Sequence, residues 1–256
     1  MNSSFLLFKN DDHKFIHLGL ERLNIEGIFT NQYLIIHKNE GFLIDPGGAH
    51  VFSRVFSNVS KYIDLRNIKG VFFSHQDPDV AAGLSLWDIH LPNAKYFFSK
   101  LWDRFMPHYG VYSKYKVSLI EDYGGKYYFE DGAELQFIPA HFLHSSGNFT
   151  LYDPTSKVLF SGDIGVGVIQ PSLKKLFVED FNEYKKEMEW FHKRYMVSNK
   201  IINMWISKVE NFDVEIMAPQ HGLLFRKKEF IEFLNWFKKL ECGEDIIEKI
   251  YYNREG

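Results

Sequence analysis

The sequence predicts an α+β fold of four layers, in which two packed β-sheets lie between outer helices (an αββα sandwich). Strand and helix patterns occur in two successive mixed halves, an order that suits two facing sheets. Neither G-x-G-x-x-G nor G-x-x-x-x-G-K-[ST] occurs, so no doubly wound nucleotide fold is indicated. Aromatic residues make up 17% of the 256 residues, which is enough ring surface to fill a large core.

Each predicted element follows from its local pattern. The apolar runs 33–37 and 41–45 are joined by three polar residues, which is typical of a β-hairpin. Residues 51–62 have a valine at every fourth position, and 227–240 carry a stripe of apolar residues, so both predict amphipathic helices. The remaining predictions are strands over 70–74, 95–99, 134–139, 149–152, 157–161 and 215–218, and helices over 80–90 and 179–209.

Composition excludes several classes of function. The chain has 30 basic and 33 acidic residues, without the basic excess that a nucleic-acid-binding surface needs. The one cysteine, Cys242, excludes an intrachain disulfide and a cysteine-based zinc or iron–sulfur site. No apolar run reaches about 18 residues, and the first ten residues do not resemble a secretory signal. We therefore expect a single soluble, cytoplasmic domain spanning 1–256 that binds neither nucleic acid nor a membrane.

The segment 74–79, Ser-His-Gln-Asp-Pro-Asp, has metal-ligand side chains at alternating positions. Pro78 disfavours helical dihedral angles at Asp77 and favours an extended backbone there. In an extended segment, residues two apart point to the same side, so His75, Asp77 and Asp79 can converge beyond the preceding strand. Such a cluster is costly without a cation. A polar loop with an Asp-Pro turn is the alternative interpretation of this segment taken alone.

Three further residues favour the metal-site interpretation. His144, Asp163 and His221 each follow an apolar strand pattern, beside glycine, alanine or proline. Together with the first segment they supply three histidines and three aspartates from four strand ends. The economical interpretation is a site for two metal ions, with one carboxylate, Asp163, bridging them.

These residues and their neighbours resemble the metallo-β-lactamase fold. Within it they are similar to the flavodiiron branch, and above all to its stand-alone oxygen-binding di-iron proteins. The resemblance extends from about residue 28 to residue 240. The matching segments are Gly-Ile-Phe-Thr-Asn-Gln-Tyr-Leu-Ile at 27–35, Leu-Ile-Asp-Pro-Gly at 43–47, the His75 segment, His144 with Asp163, and Pro-Gln-His-Gly at 219–222.

The resemblance implies a role for each residue. His75, Asp77 and His144 would hold the first ion, Asp79 and His221 the second, and Asp163 would bridge. Flavodiiron proteins usually carry Glu where Asp77 stands and His where Val80 stands. Because valine cannot bind a metal, the second ion would keep an open position beside Val80. We expect O₂ to bind there.

The ligand set favours iron. Zinc hydrolases of the fold have histidine at the position of Asp77, whereas mixed imidazole and carboxylate ligation suits iron or manganese, with zinc still an option. Two Fe²⁺, three carboxylates and one hydroxide sum to zero charge, as do two Fe³⁺ with the same ligands and a bound peroxide. We therefore expect two irons with a hydroxo or oxo bridge. No FMN is expected, because the chain has no flavodoxin domain.

Other residues near the motifs have lesser predicted roles. His141 is predicted to support a ligand, or to be an ordinary polar residue, because the family match favours His144. Tyr195 is predicted to line the pocket, with core packing as the alternative. The remaining histidines have no motif context and are predicted to lie at the surface or in ordinary packing: His13, His17, His37, His50, His90, His108 and His192.

Three functions fit this site. The leading hypothesis is a protein that binds O₂ as a peroxide-level adduct and acts as an oxygen sensor in an anaerobe or microaerophile. The resemblance implies a signalling partner, for example in chemotaxis, and a homodimer. The second hypothesis is an O₂ or NO reductase that receives electrons from a separate flavoprotein or rubredoxin. The third is a metal-dependent hydrolase that activates water.

Overall fold

The computed structural model describes residues 4–19, 28–169 and 175–252. Gly27 of the first motif segment and the last four residues lie outside the described residues. The predicted four-layer architecture is confirmed: two sheets face each other, and helices cover both outer surfaces.

The first sheet has seven strands in the order of the chain. Its first four strands pair antiparallel, and the rest pair parallel. The hairpin of β3 and β4 is the one predicted from the two apolar runs. The strands are β1 (Phe5–Lys9), β2 (His13–His17), β3 (Tyr33–His37), β4 (Glu40–Ile44), β5 (Ile68–Phe72), β6 (Lys95–Ser99) and β7 (Val117–Ile120).

The second sheet has six strands in the order β13-β12-β11-β10-β9-β8. Its pairs are antiparallel except for β11 with β12, which is parallel. The strands are β8 (Gly125–Tyr128), β9 (Glu134–Pro139), β10 (Phe149–Asp153), β11 (Val158–Gly162), β12 (Ile216–Pro219) and β13 (Phe225–Arg226).

The helices form the two outer layers. Those of the first half pack on the first sheet, with Val55, Val59 and Trp87 fully buried. Those of the second half pack on the second sheet through residues such as Met188, Trp205 and Phe233. The α-helices are α1 (Phe52–Val59), α2 (Pro78–Ala81), α3 (Leu84–His90), α4 (Phe181–Tyr195), α5 (Asn199–Val209), α6 (Lys227–Phe237) and α7 (Ile247–Tyr252).

Aromatic side chains fill the space between the two sheets. Phe42, Phe72 and Phe137 lie in one connected group of rings, with the Phe72 and Phe137 centroids 5.2 Å apart. Tyr33 and Phe160 join the facing sheets in the same way at 5.5 Å. The high aromatic content of the sequence therefore lies where the two sheets meet, and the stiff rings support the loops at the ends of the strands.

Two predicted helices are each divided in the structure. The segment predicted as one helix over 80–90 is α2 and α3, with a break at Gly83, where a Cβ atom would lie 2.6 Å from the carbonyl oxygen of Gly47. The predicted helical stretch 179–209 is α4 and α5, separated by an extended Met196. The predicted strand over 70–74 begins earlier, and β5 is Ile68–Phe72.

Five strands were not predicted from the sequence, namely β1, β2, β7, β8 and β13. Four of them, β1, β7, β8 and β13, are the edge strands of the two sheets. An edge strand pairs on one side only, so its sequence carries a weaker alternating pattern than a central strand. In the described part of the chain, no helix is both long enough and apolar enough to cross a lipid bilayer.

Replacing Gly70 in β5 with alanine tests the packing between the sheets. A Cβ atom there would lie 2.4 Å from two ring atoms of the buried Phe42. We expect Gly70→Ala to lower the free energy of unfolding by about 1–3 kcal/mol, the usual cost of overpacking a core. Gly125→Ala in β8 is the matched control, because a Cβ atom there meets nothing within 4 Å. Equal stability of the two variants in urea would contradict this account.

Candidate metal centre

The six predicted ligand residues lie at one end of the two sheets. His75 follows β5, His144 follows β9, Asp163 follows β11 and His221 follows β12. The strands end at the same edge because β5 runs parallel to β4 in one sheet and β11 parallel to β12 in the other.

Asp77 and Asp79 reach this edge by different backbone geometries. Asp77 is extended, as the following proline predicts, with φ −66° and ψ 151°. Asp79 lies in the first turn of α2, so the prediction of one extended segment through Asp79 is wrong. Pro78 is the first residue of that helix, a position where its missing N–H costs nothing.

Asp163 is the central group of the site. Its Oδ2 lies 3.0 Å from Nε2 of His144 and 3.6 Å from Nε2 of His75. Its Oδ1 lies 3.5 Å from Nε2 of His221. The two oxygens of one carboxylate therefore face two different groups of imidazoles.

Asp77 and Asp79 complete these two groups. Asp77 Oδ2 lies 3.4 Å from Nε2 of His144 and 3.7 Å from Nε2 of His75. Asp79 Oδ2 lies 3.1 Å from Nε2 of His221. Four of the residues, His75, Asp77, His144 and Asp163, offer ligand atoms that all lie within 4.8 Å of one another.

The donor atoms fit a cation. Nε2 of His75 and Oδ1 of Asp163 are buried and have no hydrogen-bond partner within the described residues. A buried polar atom without a partner is costly, and metal ions in contact with these two atoms would remove that cost. Mixed imidazole and carboxylate ligation suits iron or manganese, as well as zinc.

The pKa values show how closely the charges interact. Burial alone would lower the pKa of His144, but its hydrogen bonds to Asp163 and Asp77 raise it to about 10. Burial opposes a charge on His221 too, yet the Asp163 charge and the bond to Asp79 raise its pKa to about 9. Although burial opposes it, the surrounding imidazoles hold the pKa of Asp163 well below its usual range. Protons on these histidines therefore neutralise the carboxylates when no cation is bound.

Asp45 and Ser74 orient the ring of His75. The Ser74 amide and hydroxyl donate to the two oxygens of Asp45, at 2.8 and 2.5 Å. The hydroxyl oxygen also lies 2.9 Å from Nδ1 of His75 and accepts its proton, which leaves Nε2 free to bind a metal. Asp45 belongs to the Leu-Ile-Asp-Pro-Gly segment at 43–47, so this contact explains why that motif accompanies the ligands.

Asn31 holds the loop that carries His221. Its amide nitrogen donates to the carbonyl oxygens of Pro219 and Gly222, both at 3.0 Å. Its side-chain oxygen accepts from His17, whose other ring nitrogen accepts from the amide of Gly19. His221 itself donates from Nδ1 to the carbonyl oxygen of Phe29 at 2.7 Å, so its Nε2 faces the aspartates.

Two histidines without motif context have supporting roles that the sequence analysis did not find. His17 supports Asn31, and His192 accepts from the amide of Gly165 at 2.9 Å, in the loop that carries Asp163. Burial lowers the pKa of each to about 4, so both are neutral and able to accept. Each of these histidines is far in the sequence from the loop that it supports, so no local sequence pattern indicates the contact.

Of the two residues with lesser predicted roles, Tyr195 lies beside a candidate ligand and His141 bonds to a backbone carbonyl group. Tyr195 lies over the site, with its ring centroid 5.7 Å from that of His144 and its side chain 47% exposed. His141 bonds through Nε2 to the carbonyl oxygen of Asp122 at 2.6 Å and packs against Phe149. Val80 is fully buried in the apolar cluster between α1, α3 and the first sheet.

Comparison with known protein families gives a decisive match. A family profile described as "ODP family beta lactamase" matches residues 28–222. The chain belongs to this family. This match confirms the resemblance to the metallo-β-lactamase fold inferred from the motifs, and the matching profile is that of the ODP family within it.

Solved structures of the family are similar over nearly the whole chain. One, described as the peroxy diiron species of the chemotaxis sensor ODP, is 42% identical with a TM-score of 0.87, covering 96% of this chain and 100% of that one. The apo state of the chemotaxis sensor ODP from T. denticola is 40% identical with a TM-score of 0.87, covering 97% of this chain and 99% of that one.

More distant relatives share the fold. A flavo di-iron protein variant from Thermotoga maritima is 19% identical with a TM-score of 0.77, covering 93% of this chain and 61% of that one. An uncharacterized protein of Methanocaldococcus jannaschii is 25% identical over 233 residues, which are 89% of this chain. The match spans 58% of the length of that curated relative.

Replacing Asn31 tests the support of the His221 loop. We expect Asn31→Ala to lower the free energy of unfolding by about 1–3 kcal/mol, because it leaves the buried carbonyl oxygen of Gly222 without its side-chain donor and removes the acceptor of His17. It should also weaken metal binding, measured by competition with a chelator. Asn93→Ala is the control, since that exposed amide donates to one carbonyl oxygen far from the site. Unchanged metal affinity in Asn31→Ala would show that the loop keeps its position without this residue.

Proposed function

We propose that this protein binds two iron ions at the Asp163 cluster, binds O₂ through them, and acts as an oxygen sensor. The observation that carries the proposal is the Asp163 carboxylate, whose two oxygens face two separate sets of ligand side chains. Family membership and the 42% identity to the ODP chemotaxis sensor support the same conclusion.

We assign the ligands by these distances. His75, Asp77 and His144 would hold the first iron, Asp79 and His221 the second, and Asp163 would bridge them, together with a hydroxo or oxo group. Two ferrous ions balance three carboxylates and one hydroxide, which keeps the cost of burying the cluster low. When bound, the irons supply a binding site for O₂ and two electrons to reduce it.

The chain's own residues prepare this site. Asp45 and Ser74 hold the tautomer and orientation of His75, and the carbonyl oxygen of Phe29 does the same for His221. Phe191 and Tyr195 cover His144, with ring centroids 6.0 and 5.7 Å from the imidazole. Both rings therefore pack against a candidate ligand imidazole, Phe191 from a buried position and Tyr195 from a partly exposed one.

The absence of a ligand at Val80 favours binding of O₂ over its turnover. A histidine at this position would add a ligand to the second iron, whereas valine leaves one coordination position for a gas molecule. We further propose that the protein works in the cytoplasm of an anaerobe as a homodimer and passes its signal to a chemotaxis protein. A separate electron donor would not be needed for sensing.

The function is tested on protein purified without oxygen. We expect two irons per chain by elemental analysis and, after addition of air, a long-lived visible absorption band that forms once. Iron that oxidises without a persistent band, with steady O₂ consumption when a flavoprotein donor is added, would favour the reductase. Zinc without colour, with hydrolysis of lactone or thioester substrates, would favour the hydrolase.

Variants of the ligands test the assignment. We expect His144→Gln and Asp163→Asn to retain far less than the two irons of the wild-type chain, because each removes a charge or donor from both the buried cluster and the metal. His90→Gln, at an exposed position on α3, is the control and should keep both irons. Iron contents equal to the control would overturn the assignment.

The role of Val80 is tested by giving the second iron a further ligand. We expect Val80→His to change the visible spectrum of the iron-loaded, air-exposed protein and to shorten the lifetime of its band. Val80→Leu alters the packing of the same buried position without offering a ligand, so it should keep the wild-type spectrum. The same spectrum in all three proteins would refute the proposed open position beside Val80.

A further inference from the structure

A second cluster of ionisable side chains lies at the end of the sheets opposite to the metal centre. It joins His13 of β2 and His37 of β3 to Asp153, at the end of β10, and to Asp131, in the β8–β9 turn. His13, His37 and Asp153 are buried, with exposures of 1%, 6% and 0%. The side chain of Asp131 is 32% exposed, so the cluster extends from the interior to the surface.

The four groups form one continuous chain of hydrogen bonds. Asp153 Oδ2 lies 2.7 Å from Nε2 of His13, the two Nδ1 atoms of His13 and His37 lie 3.0 Å apart, and Nε2 of His37 lies 2.9 Å from Asp131 Oδ2. Turning either ring over would break its bond to a carboxylate. The orientation of both rings is therefore determined by their outer partners.

Other donors also face both carboxylates, and the bonds from Lys38 and His37 hold the pKa of Asp131 well below its usual range. Asp153 accepts from the amide of Thr155 at 3.0 Å and from the hydroxyl of Ser156. Asp131 accepts from the amide of Ala133 at 3.1 Å and pairs with the ammonium group of Lys38 at 2.7 Å. Each carboxylate therefore accepts several hydrogen bonds in addition to the one from its histidine.

The three contacts of this hydrogen-bonded chain determine how many protons the four side chains hold. If both imidazoles were neutral and each donated to its carboxylate, two lone pairs would face each other across 3.0 Å. If one ring turned its hydrogen to Nδ1, its Nε2 lone pair would face a carboxylate instead. All three contacts become hydrogen bonds only with three protons. The count is the same if the proton between His13 and Asp153 lies on the carboxylate.

We propose that His13 and His37 form a proton-binding site that is separate from the metal centre. The two rings share one proton between their Nδ1 atoms, so two carboxylates and one imidazolium give the four groups a net charge of minus one. The shared proton lets the Nε2 atom of His13 keep its own hydrogen for Asp153, and this second bond joins the first sheet to the second.

The surroundings of the pair leave the two carboxylates as its main partners. The rings of Phe8 and Phe129 pack against His13, and Phe129 also lies 4.8 Å from His37. The charged residues of the strands and turns at this end of the sandwich include Asp11, Asp12, Lys14, Lys38, Glu40, Glu130, Asp131, Glu134, Asp153 and Lys157.

The site makes the stability of the fold depend on pH. A histidine of an unfolded chain is neutral above about pH 6.5. The hydrogen-bond chain of the folded state needs one proton more than two neutral imidazoles carry, so above that pH folding takes up a proton and the stability of the fold falls as pH rises. At lower pH the contribution is fully present. The site thus responds to alkaline conditions independently of oxygen and iron.

The experiment uses the full metal-free chain, a form in which a family member has been solved. Nitrogen NMR of the histidine rings at neutral pH should show an N–H proton between His13 and His37 that is coupled to both Nδ1 atoms. Two neutral rings with no proton between their Nδ1 atoms would overturn the proposal. This readout needs no variant, so it does not depend on whether a mutant folds.

Denaturant unfolding at increasing pH gives the second test. For the wild-type chain we expect the unfolding equilibrium constant to increase by up to tenfold per pH unit above neutral from this site. His37→Gln offers His13 an amide donor without needing a proton, so this increase should disappear. His108→Gln, at an exposed position, should keep it. The same pH dependence in His37→Gln as in the wild type would contradict the shared proton.

Discussion

A buried carboxylate is costly unless polar or charged partners lie close to its oxygens, and Asp163 has three imidazoles around it. Its Oδ2 faces His144 and His75, and its Oδ1 faces His221, at 3.0, 3.6 and 3.5 Å. Without cations, protons on His144 and His221 supply the charge. In the proposed metal-bound state the same nitrogens would be ligands. The rest of the site is arranged around this one carboxylate.

The architecture serves this arrangement by bringing the ends of strands from both sheets to one edge. The ligands lie on short loops, and buried side chains that do not touch the proposed metals hold these loops in position. Asp45 and Ser74 orient His75 at the end of β5. Asn31 connects the first sheet to the His221 loop, and His192 connects α4 to the Asp163 loop. Each support is a hydrogen bond made in a dry environment, where an unpaired partner would be costly.

The central strands, the outer helices and the convergence of the six candidate ligand residues were predictable because each has a local signal. Apolar runs mark the strands, and histidine or aspartate follows them beside small residues. The edge strands β1 and β8 were not predicted, since an edge strand has no consistent pattern of burial. The division of one predicted helix at Gly83 depends on the close approach of Gly47, a contact far apart in sequence. For the same reason no local pattern reveals that His13 and His37 share a buried cluster with Asp131 and Asp153.

Anomalous diffraction from crystals grown without oxygen tests the central claim most directly. Data collected on either side of the iron absorption edge should show two iron peaks per chain, one beside His75 and His144 and one beside His221, with Asp163 between them. One iron peak, or peaks that respond at the zinc edge instead, would contradict the account of Asp163 as the carboxylate shared by two irons.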